Sequence, residues 1–79
     1  MTPDLLREAG LALYGPRWTT DLARDLDVND RTVRRWSAGR SPIPEGLGDD
    51  LRELMKARRH ALAAVRRKLN GRASPDKEG

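Results

Sequence analysis

At 79 residues the chain is long enough for one small domain and too short for a large enzyme. Sixteen Lys and Arg against twelve Asp and Glu leave a formal charge of +4 on a chain that is 35% charged, 37% hydrophobic and free of Phe and Cys. The core must therefore come from Leu, Ala, Val and two Trp, no disulfide or thiolate zinc site can reinforce it, and a domain this small is expected to gain stability by oligomerising.

Thr2-Pro3-Asp4 reads as an N-cap, a proline at the first helical position and an acid near the positive helix end. The first helix is predicted over residues 3–14, with Leu5, Leu6, Ala9 and Leu13 on one face and Gly15-Pro16 ending it. Gly10 weakens this helix but admits a close neighbour. Thr19 or Thr20 is expected to cap a short second helix carrying Asp21, Leu22, Ala23 and Leu26, which Asp27-Val28-Asn29 interrupts. Asn29 then caps a third helix: Val33 and Trp36 lie on its buried side, Arg31, Arg34 and Arg35 face outward, and Gly39 sits where a C-terminal glycine belongs.

Residues 40–44, Arg-Ser-Pro-Ile-Pro, cannot continue a helix and form a linker. From about residue 45 to 70 the chain reads as one long helix, about 40 Å if unbroken, with Gly46 and Gly48 near its start and Asn70-Gly71 as its stop. Leu47, Leu51, Leu54, Met55, Leu62, Val65 and Leu69 fall in one sector of it, with Arg58 inside that sector. Arg52, Lys56, Arg59, Arg66 and Arg67 gather on an adjoining arc. The expected fold is all-α: a single domain of about four helices over residues 1–72, then a disordered tail over 73–79.

The charge is segregated along this layout. Residues 1–28 hold three basic and five acidic side chains, residues 29–72 twelve and five, and the last seven one and two, giving net charges of −2, +7 and −1. A basic half on a compact domain is a footprint for nucleic acid or another polyanion; a solvated helix face is the plainer alternative. The first residues carry an acid where a signal peptide carries bases, and the apolar runs are shorter than a membrane span, so a cytoplasmic protein without a membrane segment is expected.

The stretch Thr19–Gly39, TTDLARDLDVNDRTVRRWSAG, resembles a helix-turn-helix of the phage repressor and Cro class. The matching positions have packing reasons: Leu22, Leu26, Val33 and Trp36 between two helices, Ala23 where they cross, Val28 plugging the turn. One departure is Asp27, at a turn position usually filled by Gly that needs a left-handed backbone. The resemblance implies that Asn29, Asp30, Arg31, Arg34 and Arg35 reach bases or nearby phosphates, that Thr19 and Thr20 bond phosphate, and that Arg40 and Ser41 make another backbone contact. Arg31 and Arg35 suit bidentate gripping of guanine, and Arg34 suits phosphate. Asp30 suits a cytosine amino group, the helix dipole or an arginine partner.

The C-terminal half, GRSPIPEGLGDDLRELMKARRHALAAVRRKL, more loosely resembles small regulators encoded beside anti-CRISPR genes on phages and mobile elements, in which the region after the motif makes the dimer. A homodimer on an inverted-repeat operator in double-stranded DNA is also expected physically, because one such motif offers few contacts. Leu54, Met55, Arg58, Leu62, Val65 and Leu69 are the expected interface, since the stripe outruns a three-helix core. Arg58 either pairs with an acid such as Asp50 of the partner subunit or snorkels to solvent.

The two Trp occupy inward-facing helical positions and are expected in the core rather than as base-stacking platforms. Tyr14 fits either core closure or a phosphate contact through its hydroxyl. The single histidine, His60, and the serines Ser37, Ser41 and Ser74 assemble no nucleophile and base, and Asp49, Asp50 and Glu53 read as dipole partners in a helix's first turns. No enzymatic activity, cofactor, metal site or small-molecule ligand is expected. The leading expectation is a sequence-specific transcriptional repressor, with its own promoter as one candidate target. The rival is a protein-interaction module, such as an antitoxin or phage-encoded inhibitor, with the motif as scaffold. Structured RNA is a third candidate ligand for the same surface.

Overall fold

Thr2 begins the folded chain as the sequence predicts: its hydroxyl accepts from the Leu5 amide at 3.1 Å, opening α1 over Pro3–Tyr14. The computed structural model describes the backbone of residues 1–76 and the side chains of residues 1–71. Three further helices follow, α2 over Trp18–Leu26, α3 over Asp30–Ser37 and α4 over Leu47–Asp76, with no strand among the described residues. The fold is a small all-α domain with a long C-terminal helix.

Leu6, Leu22 and Val33 are fully shielded, and Ala9, Leu13, Trp18, Ala23, Trp36, Leu47 and Leu51 complete the core. Both tryptophans are thus core residues. Leu5 is not, because it is 51% exposed one position off the buried face. Gly10 is the close approach: a Cβ there would overlap the Trp18 indole, reaching Cγ at 2.9 Å and two further ring atoms more closely still.

α2 begins at Trp18, ahead of both expected caps. Arg17 precedes the helix without a side-chain cap, and Thr19 and Thr20 lie inside its first turn. Burial of Trp18 against α1 draws the chain into helix before a threonine can cap it. α2 ends in a left-handed residue, Asp27, at φ 58° and ψ 45°, and the Val28 amide reaches back to the Ala23 carbonyl at 2.9 Å. Val28 does not plug the turn; it is 37% exposed.

Asp27 is the only non-glycine residue with positive φ among the described residues, and an L side chain in that conformation costs stability. Asp27→Gly should therefore raise the urea midpoint, by about 0.5–1 kcal/mol in stability. A lower midpoint would show that the carboxylate makes a compensating contact.

α4 starts at Leu47 rather than 45, after a turn in which the Leu47 amide bonds the Pro44 carbonyl at 3.1 Å. It also runs on past Asn70-Gly71, with helical backbone to Asp76. Glycine ends a helix by turning left-handed. Gly71 does not adopt positive φ, unlike Gly15 at 84° and Gly39 at 74°. Of the expected tail, residues 73–76 continue the helix and residues 77–79 lie outside the described residues.

Only the first two turns of α4 join the core. Leu47 and Leu51 are buried and Leu54 half-buried, whereas Met55, Leu62, Val65 and Leu69 are exposed. The remainder projects, which makes the protein 55 × 21 × 21 Å with a radius of gyration of 16.5 Å. A compact domain of this length would have about 12 Å.

Candidate nucleic-acid interface

The sequence places its cations on α3 at positions that the core leaves outside. Val33 and Trp36 face inward, so Arg31, Arg34 and Arg35 are exposed. Both helix ends are secured. At the N-terminus the Asn29 side chain accepts from the Arg31 amide at 2.9 Å. At the C-terminus the Gly39 amide bonds the Trp36 carbonyl at 3.1 Å and the Arg40 amide bonds the Arg35 carbonyl at 2.9 Å, the paired closure that a left-handed glycine permits. This closure fixes Arg40 next to the exposed arginines.

The three arginines are in different states. Arg34 is held by Asp30, Nη2 to Oδ2 at 3.1 Å across one helical turn. The other Asp30 oxygen is enclosed and has no hydrogen-bond partner among the described residues. With one oxygen on Arg34 and the other shut off from solvent, Asp30 restrains Arg34, the arginine-partner role among those the sequence leaves open to it. Arg31 and Arg35 have no carboxylate partner among the described residues and are free to reach outward.

Thr19 is half-buried and Thr20 exposed, both in the first turn of α2. Asn29 and Arg40 are exposed and Ser41 is half-buried. The expected contact residues thus lie on α3, at the start of α2 and in the segment after α3. A weak tie steadies α3 from behind, where Arg7 on α1 donates to the Ser37 carbonyl at 3.4 Å.

A second group links α1, α2 and α4, and sequence reading missed it. The Tyr14 hydroxyl donates to Asp25 Oδ2 at 2.6 Å, and the Arg58 guanidinium carbon lies 5.6 Å from the centre of the Tyr14 ring. Partial burial and the neighbouring Asp25 carboxylate hold the Tyr14 phenol well above its ordinary pKa. Tyr14 therefore closes the core edge and ties the root of α4 to α2. Arg58 stacks on Tyr14 within the chain, so the apolar sector is interrupted by a cation already engaged at home. No signal in the sequence joins these residues, which stand on three separate helices.

Beyond Tyr14, a shallow groove lined by Leu13, Leu54, Ala57, Ala61, Leu62 and Val65 continues along α4. Of the expected interface residues, Leu54 serves the chain's own core, Arg58 lies on Tyr14, and Met55, Leu62, Val65 and Leu69 present apolar surface outward, with Leu62 60% and Leu69 61% exposed. No helix among the described residues is long and apolar enough to cross a membrane. No family model, curated protein or solved structure matches the chain.

Proposed function

We propose that this protein binds double-stranded DNA in a sequence-specific manner and represses transcription as a homodimer on an inverted repeat, its own promoter being one candidate operator. The observation that carries the reading is the free state of Arg31 and Arg35 on a short helix secured at both ends. Two arginines one turn apart can each grip a guanine through O6 and N7. Arg34 restrained by Asp30, with Arg40 and Ser41 beyond the helix, suits phosphate contacts that set its register. The resemblance of residues 19–39 to the phage repressor and Cro class, and the looser resemblance of the C-terminal half to anti-CRISPR-associated regulators, support the same reading.

Dimerisation is part of the proposal. Met55, Leu62, Val65 and Leu69 leave a row of apolar surface at helical spacing on the projecting α4, and pairing two copies would withdraw it from water. Leu62→Glu combined with Val65→Glu should yield monomers in sedimentation and weaken DNA binding. A dimer that survives both changes would put the interface elsewhere.

A gel shift comparing an enriched duplex with its scrambled counterpart tests the reading directly. Sequence preference supports it, and equal affinity for both opposes it. Salt titration separates the rival reading of a protein-interaction module, because duplex binding through several phosphates weakens steeply as salt rises and an apolar helix interface does not.

A further inference from the structure

The cations of the chain divide by their company. Arg7, Arg24, Arg34 and Arg52 each lie against a carboxylate of a neighbouring turn. Lys56, Arg59, Arg66 and Arg67 on α4 have no such partner among the described residues, and all four are exposed. Between Glu53 and Asp76 the sequence contains no acid at all. Charge of one sign along that length repels itself, and a bound polyanion would relieve the repulsion.

At about 100° per residue these four side chains centre about 105° around α4 from the exposed apolar row. They adjoin the surface a second copy would cover, with Arg59 beside Met55 and Leu62 at the border and Lys56 and Arg67 turned furthest from it. From Lys56 to Arg67 the arc extends about 17 Å along the helix, and a duplex presents one negative charge per ~1.7 Å of its axis, so the arc faces several phosphates at once. A bilayer is the poorer fit. A bilayer would have to take up the same apolar row that the proposed second copy covers, whereas a duplex backbone engages the cations alone.

We propose that Lys56, Arg59, Arg66 and Arg67 form a second, sequence-blind contact surface for the DNA backbone, distinct from α3. The proposal shares its ligand with the function proposed above but rests on different residues. It assigns α4 two faces with two tasks: the apolar row to the partner copy, the basic arc to phosphate.

The test is a full-length variant carrying Lys56→Gln, Arg59→Gln, Arg66→Gln and Arg67→Gln. Its affinity for a scrambled duplex is measured against salt concentration beside the wild type. The slope of log K against log salt should shrink by about 0.9 for each phosphate no longer neutralised, hence by about 3 if most of the arc engages, with the preference for operator over scrambled duplex unchanged. A control variant with Arg59, Arg66 and Arg67 replaced by Lys should keep the wild-type slope, which separates loss of charge from loss of fold. An unchanged slope in the Gln variant would overturn the proposal. So would a weakening confined to the operator, or wild-type pelleting with phosphatidylglycerol vesicles alongside unaltered duplex binding by the variant. If the wild type shows no sequence preference and the slope still falls, the reading of α3 fails and this one stands.

Discussion

Gly10→Ala should lower the stability of the domain by about 2–3 kcal/mol, although alanine is the better helix former by about 1 kcal/mol. The cause is steric. Gly10 is buried in the middle of α1, and an added Cβ would lie inside the Trp18 indole. Trp18 cannot simply withdraw, because its burial anchors the start of α2, which has no side-chain cap to hold it otherwise. Displacing a buried tryptophan forfeits much of the packing that large-to-small core changes remove, about 3–5 kcal/mol at the extreme. For a domain of this size each kilocalorie moves the midpoint by about 4–8 °C, so thermal unfolding followed by circular dichroism should fall by about 10–20 °C. Trp18→Leu on the same background should recover part of the stability by making room. A Gly10→Ala protein as stable as the wild type would mean that α1 and α2 do not approach so closely at this crossing.

Arg35→Ala should weaken binding to the preferred duplex by about 1–3 kcal/mol, roughly tenfold to a hundredfold, and relax the preference at one base pair. Arg35 is exposed on α3 and has no carboxylate partner among the described residues, so its removal leaves no buried charge behind and should not disturb the fold. Arg40→Ala differs in kind: it lies beyond the helix, where a phosphate contact is expected, and should weaken all duplexes alike. The comparison is made by titrating both variants against the operator and against single-base substitutions of it. Equal weakening on every duplex for the Arg35 variant would reduce that residue to a phosphate contact.

The parts of the fold legible in the sequence are those governed by local chemistry. Thr2 and Asn29 cap because a short side-chain acceptor precedes a helical pattern, and each cap is present. Asp27 occupies the left-handed position its place in the turn demands, and Gly39 closes α3. Trp18 and Trp36 are buried where helical spacing puts them. The departures arise where tertiary packing overrides a local signal. Thr19 and Thr20 lose their cap role because Trp18 is pulled into the helix ahead of them, and Gly71 fails as a stop because nothing turns its backbone left-handed.

The candidate interface divides along the same line. Periodicity alone assigns the outward face of α3 and the exposed row on α4, since both follow from which neighbours are buried. Pairing with Arg34 is one of several roles that the sequence leaves open to Asp30, and only its geometry selects restraint. The Tyr14–Asp25–Arg58 group is illegible in the sequence because it depends on how α1, α2 and α4 meet. In the proposed dimer it would help set the angle at which α4 leaves the domain, and so the separation of the two α3 helices.

Selection of duplexes from a random DNA pool by the purified protein, followed by sequencing of those retained, asks without intermediaries whether a pair of α3 helices reads base sequence. The expected outcome is enrichment of an inverted repeat with half-sites about one helical turn apart, about 34 Å, and at least one G·C pair in each half. A pool that emerges with no enriched sequence would refute the assignment of α3 as a reader of DNA.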